Sequence, residues 1–299
     1  MNKYIFTLLT VLAGIGTLAL YKPFGEGLYS PFKPSKIDAA VVLLALNGYQ
    51  KARFDKGRLF DQVYQEQLAI HDAALRAIKK GFQVPDDEWN SYMNAVRDTI
   101  ACDDLMGPSK NSIDPRQPSI IQHTQKILGQ YGINADRVCI KQVTGEQSKA
   151  EAIQDIQEET GKVLHTIEIN VEWFNKSPLA MQEAFIRHEI MHLLNYDCIE
   201  EGYIVYLLES LGYENDYCVH HPAMIHYRQA REIRADLLAA CHASPIAQAL
   251  HDHYAHYEKK FKQYNNNPEQ WLSHPPFTTR KHELASLLQT MDNTKIVMT

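Results

Sequence analysis

Two histidines four residues apart, with a glutamate directly after the first, restrict what Ile186–Tyr196 ("IRHEIMHLLNY") can become. Read as a helix, the stretch projects His188 and His192 from one face about one turn apart, close enough to grip a single ion. Glu189 then points roughly 100° round the helix from His188. Leu179, Ile186, Ile190 and Leu194 form an apolar stripe on the far side, which predicts a core face and a separate histidine face. Ser177-Pro178 marks the start, with Ser capping free N–H groups and Pro at the first helical position. Because the chain has 14 histidines in 299 residues, H-E-x-x-H alone is weak evidence, and its surroundings decide.

A catalytic zinc site needs a third protein ligand and an open position. Glu200 and Glu201 follow the second histidine too closely, on or just beyond the same helix. Glu209 and Glu214 are at a workable distance but have no supporting context. "AREIRADLLAA" is the better source: Glu232 and Asp236 are four apart on a helix, with Ile233, Leu237 and Ala240 on its apolar side. Glu232 can complete a His-His-Glu set, and Asp236 can take the spare N–H of a ligating histidine. Arg231 and Arg234 flank Glu232 and offer it ion pairs instead.

The rest of the chain supplies the frame. Tyr4–Leu20 is uncharged and apolar between Lys3 and Lys22. As a helix it reaches about 25 Å, enough to anchor the chain in a membrane with some thinning, while a cleaved signal peptide is the rival reading. Residues 22–36 read as a linker rich in Pro, Gly and aromatics, and Ile37–Leu46 as a short core helix. Helices are predicted over 57–80, with Leu59, Val63, Ile70, Ala74 and Ile78 inward, over a segment opened by "VPDDE", and over 120–131 before Gly132. Arg137–Val143 and Val163–Phe174 alternate as strands, and Gln147–Glu159 is left as helix or exposed excursion. A net charge of −6 with no basic stripe excludes a nucleic-acid partner. Five scattered cysteines without a C-x-x-C pair exclude a thiolate zinc ribbon.

H-E-I-M-H, then E-I-R-A-D about 40 residues later, then "SHPPFTTR" at Ser273–Arg280, resembles the gluzincin metallopeptidase family of the HtpX heat-shock peptidases, the CAAX prenyl proteases and the Oma-type peptidases. The resemblance covers about residues 120–285. It implies His188, His192 and Glu232 as ligands of one zinc ion per chain, Glu189 as general base on the zinc-polarised water, and Asp236 behind a ligand histidine. It also implies that Val163–Phe174 is an edge strand to which the substrate backbone adds. From the late H-P-x-x-x-x-R, His274 is assigned to the oxyanion and Arg280 to fixing its loop or the neighbouring carboxylates. The several membrane spans of the HtpX and CAAX enzymes have no counterpart here, which points to singly anchored or soluble members as the nearer analogy.

The expected fold is α+β and mainly helical: a zincin-like domain over 119–290 with a small sheet beside the H-E-x-x-H helix. Before it come an apolar N-terminal helix within 1–21, the linker, and a helical region over 37–118 that matches nothing recognised. The expected function is a zinc metalloendopeptidase acting on polypeptides near a membrane, its catalytic domain outside the cytoplasm, or secreted if the leader is cleaved. The competing expectation is a catalytically idle binding or chaperone-like protein on the same scaffold, which the intact Glu189 argues against.

Overall fold

The structure, a computed structural model, describes residues 57–297 apart from 111–113, 115, 146–148, 158–159 and 263–273. The apolar segment Tyr4–Leu20, the linker over 22–36 and the run Ile37–Leu46 lie outside these residues. Among the described residues no helix is long and apolar enough to cross a membrane.

Helices dominate, with one small sheet. The first, α1 (Gly57–Gly81), buries Val63, Gln67, His71, Ala74 and Ile78 at three- and four-residue intervals. Ile70, expected on that stripe, is 43% exposed, because the buried face runs through its neighbour His71. The next, α2 (Asp86–Cys102), opens on Pro85 with Asp86, Asp87 and Glu88 in its first turn, where carboxylates suit the positive end of the helix dipole. Then α3 (Ser119–Gln130) stops where Gly132 takes a φ of +69° and the Ile133 N–H donates to Leu128 O at 3.1 Å.

A short 3₁₀ turn (Ala135–Arg137) leads into β1 (Val138–Val143), followed by β2 (Ala150–Ile156) and β3 (Val163–Asn170). The sheet order is β1-β3-β2, with β1 parallel to β3 and β2 antiparallel to it. Two expectations are corrected here. Gln147–Glu159 contains strand β2, whose buried residues Ala150, Ala152 and Gln154 alternate as a half-covered strand requires. The expected edge strand, β3, is central: Ile167 is paired with Ile140 on one side and Ala152 on the other. Its backbone is therefore engaged on both sides, and β1 and β2 are the edges.

β3 ends at Asn170 rather than running to Phe174. The Asn170 side chain accepts from Trp173 N at 3.0 Å and turns the chain into α4 (Val171–Lys176). Ser177 likewise closes α4, its Oγ donating to Trp173 O at 2.8 Å. Pro178, not Ser177, holds the cap position of α5 (Leu179–Leu194). The remaining helices are α6 (Asp197–Ser210), α7 (Asn215–His220), α8 (Pro222–Ala240), α9 (Ser244–Lys262) and α10 (Phe277–Val297).

One core gathers Ile127 of α3, Ile167 of β3, Ile186 and Ile190 of α5, Leu238 of α8, Leu250 of α9 and Leu284 of α10. The other joins Ile78 of α1, Trp89 of α2, Leu208 of α6 and Tyr227 of α8. Helix α8 takes part in both, and along it α1 also packs. The helical stretch before residue 118 thus leans on the helix that carries Glu232. The candidate site lies where α5, α8 and β2 meet.

Candidate metal centre

Helix α5 departs from the two-faced helix its sequence predicts. Leu179, at its start, is 61% exposed, whereas everything from Ile186 to Leu194 is buried, His188, Glu189 and His192 included. The histidine face is therefore an interior face. Fully burying Ile186, Ile190 and Leu193 contributes about 1.5–3 kcal/mol each, which helps offset the cost of burying three polar side chains beside them.

α8 packs along α5 and brings Glu232 opposite the histidine pair. His188 Nε2 lies 3.0 Å from His192 Nε2, and the Glu232 oxygens lie 3.4 Å from the first and 3.5 Å from the second. Ligand atoms of these three buried residues all fall within 4.8 Å of one another. A tetrahedral zinc with bonds near 2.0–2.1 Å sets its ligands about 3.3 Å apart, close to the two histidine–carboxylate distances.

The far side of each ring is fixed. His188 Nδ1 meets Asp236 Oδ1 at 2.9 Å, and His192 Nδ1 meets Asp197 Oδ2 at 2.7 Å. A carboxylate accepts only, so each Nδ1 carries the proton in the neutral ring and each Nε2 turns a lone pair inward. Two lone pairs and a carboxylate then face one another. Glu232 Oε2 is buried without a hydrogen-bond partner, with nitrogens of His188 and His274 at 3.4 Å and of Arg280 at 3.6 Å. The donor set fits a divalent cation such as zinc, which supplies the positive charge the three atoms lack.

With no metal bound, a proton on His188 supplies that charge. Burial opposes a charge on His188, but the Asp236 and Glu232 carboxylates outweigh it and raise its pKa to about 10. Burial also pushes Glu232 up, yet His274, His188 and His192 hold it well below the carboxylate range. The pocket is one that favours a cation.

The carboxylates behind the histidines are themselves braced. Asp236 receives Arg280 Nε at 2.6 Å and Nη2 at 2.7 Å, and Tyr254 Oη at 2.9 Å. Burial raises Asp236, and Arg280 and His188 bring it down to about 2. Asp197 pairs with Arg234, while Arg231 Nη1 donates to Asp197 O at 2.8 Å and meets Glu201 Oε2 at 2.7 Å. The arginines flanking Glu232 thus serve other carboxylates. Glu200 pairs with His71 at 2.8 Å and Glu201 with Arg228 at 2.6 Å, so neither reaches the centre.

Glu189 faces the sheet. Its Oε2 accepts the Ala152 N–H of edge strand β2 at 2.8 Å, so the carboxylate is held between α5 and β2. His274 enters from beyond α9 with Nε2 3.4 Å from Glu232 Oε2, and Arg280 lies one helical start later on α10, bidentate to Asp236. Every candidate residue read from the sequence is therefore in or against one cluster.

Asp197 and Tyr254 were not anticipated, and Arg234, expected as an ion-pair partner for Glu232, pairs with Asp197 instead. Asp197 could have been suspected as the counterpart of Asp236, five residues past His192. Its position depends on Tyr196, whose φ of +54° folds α6 back sharply on α5. A tyrosine there is strained, and it is retained by burial of its ring and by donation to Asp103 Oδ2 at 2.7 Å. Nothing in the local sequence marks that conformation. In comparisons with known proteins, no protein-family model, curated protein or solved structure matches the chain.

Proposed function

We propose that this protein is a zinc-dependent metalloendopeptidase of zincin-like, gluzincin type, hydrolysing polypeptides at or near a membrane. One observation carries the reading: two inward lone pairs and a buried carboxylate converge, with Glu189 of the same helix beside them and hydrogen-bonded to edge strand β2. Tyr4–Leu20 supports the membrane tether. Zinc held by His188, His192 and Glu232 would polarise a substrate carbonyl and lower the pKa of a water to about 7.

The chain's own groups then have distinct tasks. Glu189 is the general base: with Oε2 tied to Ala152 N, Oε1 is left to take the proton of the attacking water and pass it to the departing amine. Asp236 and Asp197 keep both imidazoles in the Nδ1–H tautomer, so that neither ring turns and each Nε2 is the nitrogen left for the metal. A ring N–H of His274 is the candidate donor to the oxyanion. Arg280 holds Asp236 and the start of α10 together, which steadies that donor.

Glu189→Gln tests the assignment. It is expected to cut peptide turnover by about a hundred- to ten-thousandfold while zinc content stays the same. Undiminished turnover in that variant would overthrow the mechanism.

A further inference from the structure

Three residues upstream of Ala152, Lys149 lies at the mouth of the same edge strand, about 10 Å along it. Its carbonyl accepts Asn170 N at 3.0 Å, which fixes the backbone at the start of β2. The side chain reaches across to α9, where its Nζ lies 2.6 Å from His253 Nε2. It also lies 4.9 Å from the centre of the Phe185 ring and 4.4 Å from that of Tyr257. Phe185 is one turn of α5 before Glu189, on the same side of the helix. The amine is thus boxed by aromatic rings, one of them a single helical turn from Glu189.

Among the described residues no carboxylate pairs with Lys149, and its charged neighbours Arg280 and Lys260 are cations. Burial and then those two cations lower Lys149 to about 7, and burial with Lys149 lowers His253 to about 3. A neutral His253 can accept from the ammonium but cannot balance its charge. An arriving carboxylate would gain a charge-assisted hydrogen bond in a partly desolvated place.

We infer that Lys149, His253, Phe185 and Tyr257 form a substrate-binding subsite that selects a carboxylate, supplied by an Asp or Glu side chain or by a chain's C-terminus. Phe185 and Tyr257 receive the methylene or backbone part of that residue, and Lys149 its charge. The inference rests on the peptidase reading only for calling the ligand a substrate.

Binding of peptide pools by the full chain carrying Glu189→Gln, followed by fluorescence anisotropy, tests it without turnover. The probes are labelled, amidated octapeptides, random except for a central Glu in one pool and a central Gln in another, with a third pool of the Gln type ending in a free carboxylate. The expected result is roughly tenfold tighter binding of a carboxylate pool than of the amidated Gln pool. Preference for the Glu pool assigns a side chain; preference for the third pool assigns the C-terminus. Adding Lys149→Met should erase the preference, and Lys149→Arg should retain most of it, with melting temperatures confirming the fold of both. Equal binding of all pools, no binding of any, or a preference that survives Lys149→Met would overturn the inference. Cleavage of the same pools by the unaltered chain is scored separately. If none is cut while the preference stands, the peptidase reading fails and the carboxylate site remains.

Discussion

At the residue scale, the centre depends on its three donor groups and also on the two carboxylates that orient its histidines. Asp236 and Asp197 each lock one imidazole, and each is locked in turn by an arginine. Replacing either by Asn leaves a hydrogen-bonding group of the same size but lets the amide flip and present N–H to the ring, which inverts the tautomer. We expect Asp197→Asn and Asp236→Asn each to weaken zinc binding by about ten- to a hundredfold, read by competition with a chromophoric chelator. Unchanged affinity in both would mean that the rings are held by packing alone. His188, Glu189 and His192 are legible from spacing, and Glu232 from a second carboxylate pair on a helix. Asp197 is not, because its role depends on the left-handed Tyr196 that turns α6 back, and a tyrosine gives no signal for that conformation.

At the element scale, the helices were legible and the sheet only partly so. α1, α2 and α3 follow from apolar spacing with Pro, acidic or Gly boundaries. β2 was missed because its buried face is Ala150, Ala152 and Gln154. Gln154 donates to Leu193 O of α5 at 3.0 Å and the Ala152 N–H is taken by Glu189, so small and polar residues stand where a strand of Val and Ile would be recognisable. The edge position expected of β3 came from the family resemblance, and its pairing with both β1 and β2 makes it central instead. The contact of α1 with α8 makes a sharper forecast. A Cβ on Gly81 would come 2.8 Å from His221 Cε1, and His221 caps α8 by accepting from Ala223 N at 3.2 Å. Gly81→Ala should therefore destabilise the protein by about 1–3 kcal/mol in chemical denaturation. A neutral or stabilising effect would show that the His221 ring yields freely.

At the scale of the whole molecule, ionised carboxylates are buried throughout the region joining α1, α5, α6 and α8. Burial raises Asp197, Glu200, Glu201 and Asp236, but neighbouring Arg and His side chains overcome it and hold all four below their ordinary range. A carboxyl that is harder to protonate in the folded chain gives the unfolded chain more protons on acidification, so stability rises with pH in that window. For Asp236 the window runs from the unfolded value of 3.8 down to about 2 in the folded chain. The metal-free protein should lose melting temperature steeply as pH falls from about 5 towards 2. A flat profile across that range would contradict the charged description of this core.

The central claim is that His188, His192 and Glu232 hold one zinc ion, and elemental analysis of the purified chain beside Glu232→Ala tests it most directly. The predicted result is one zinc per chain, lost or much weakened in the variant, with thermal stability falling on chelation only in the unaltered protein. Zinc retained in full by Glu232→Ala, or no metal in either protein after incubation with zinc, would contradict it.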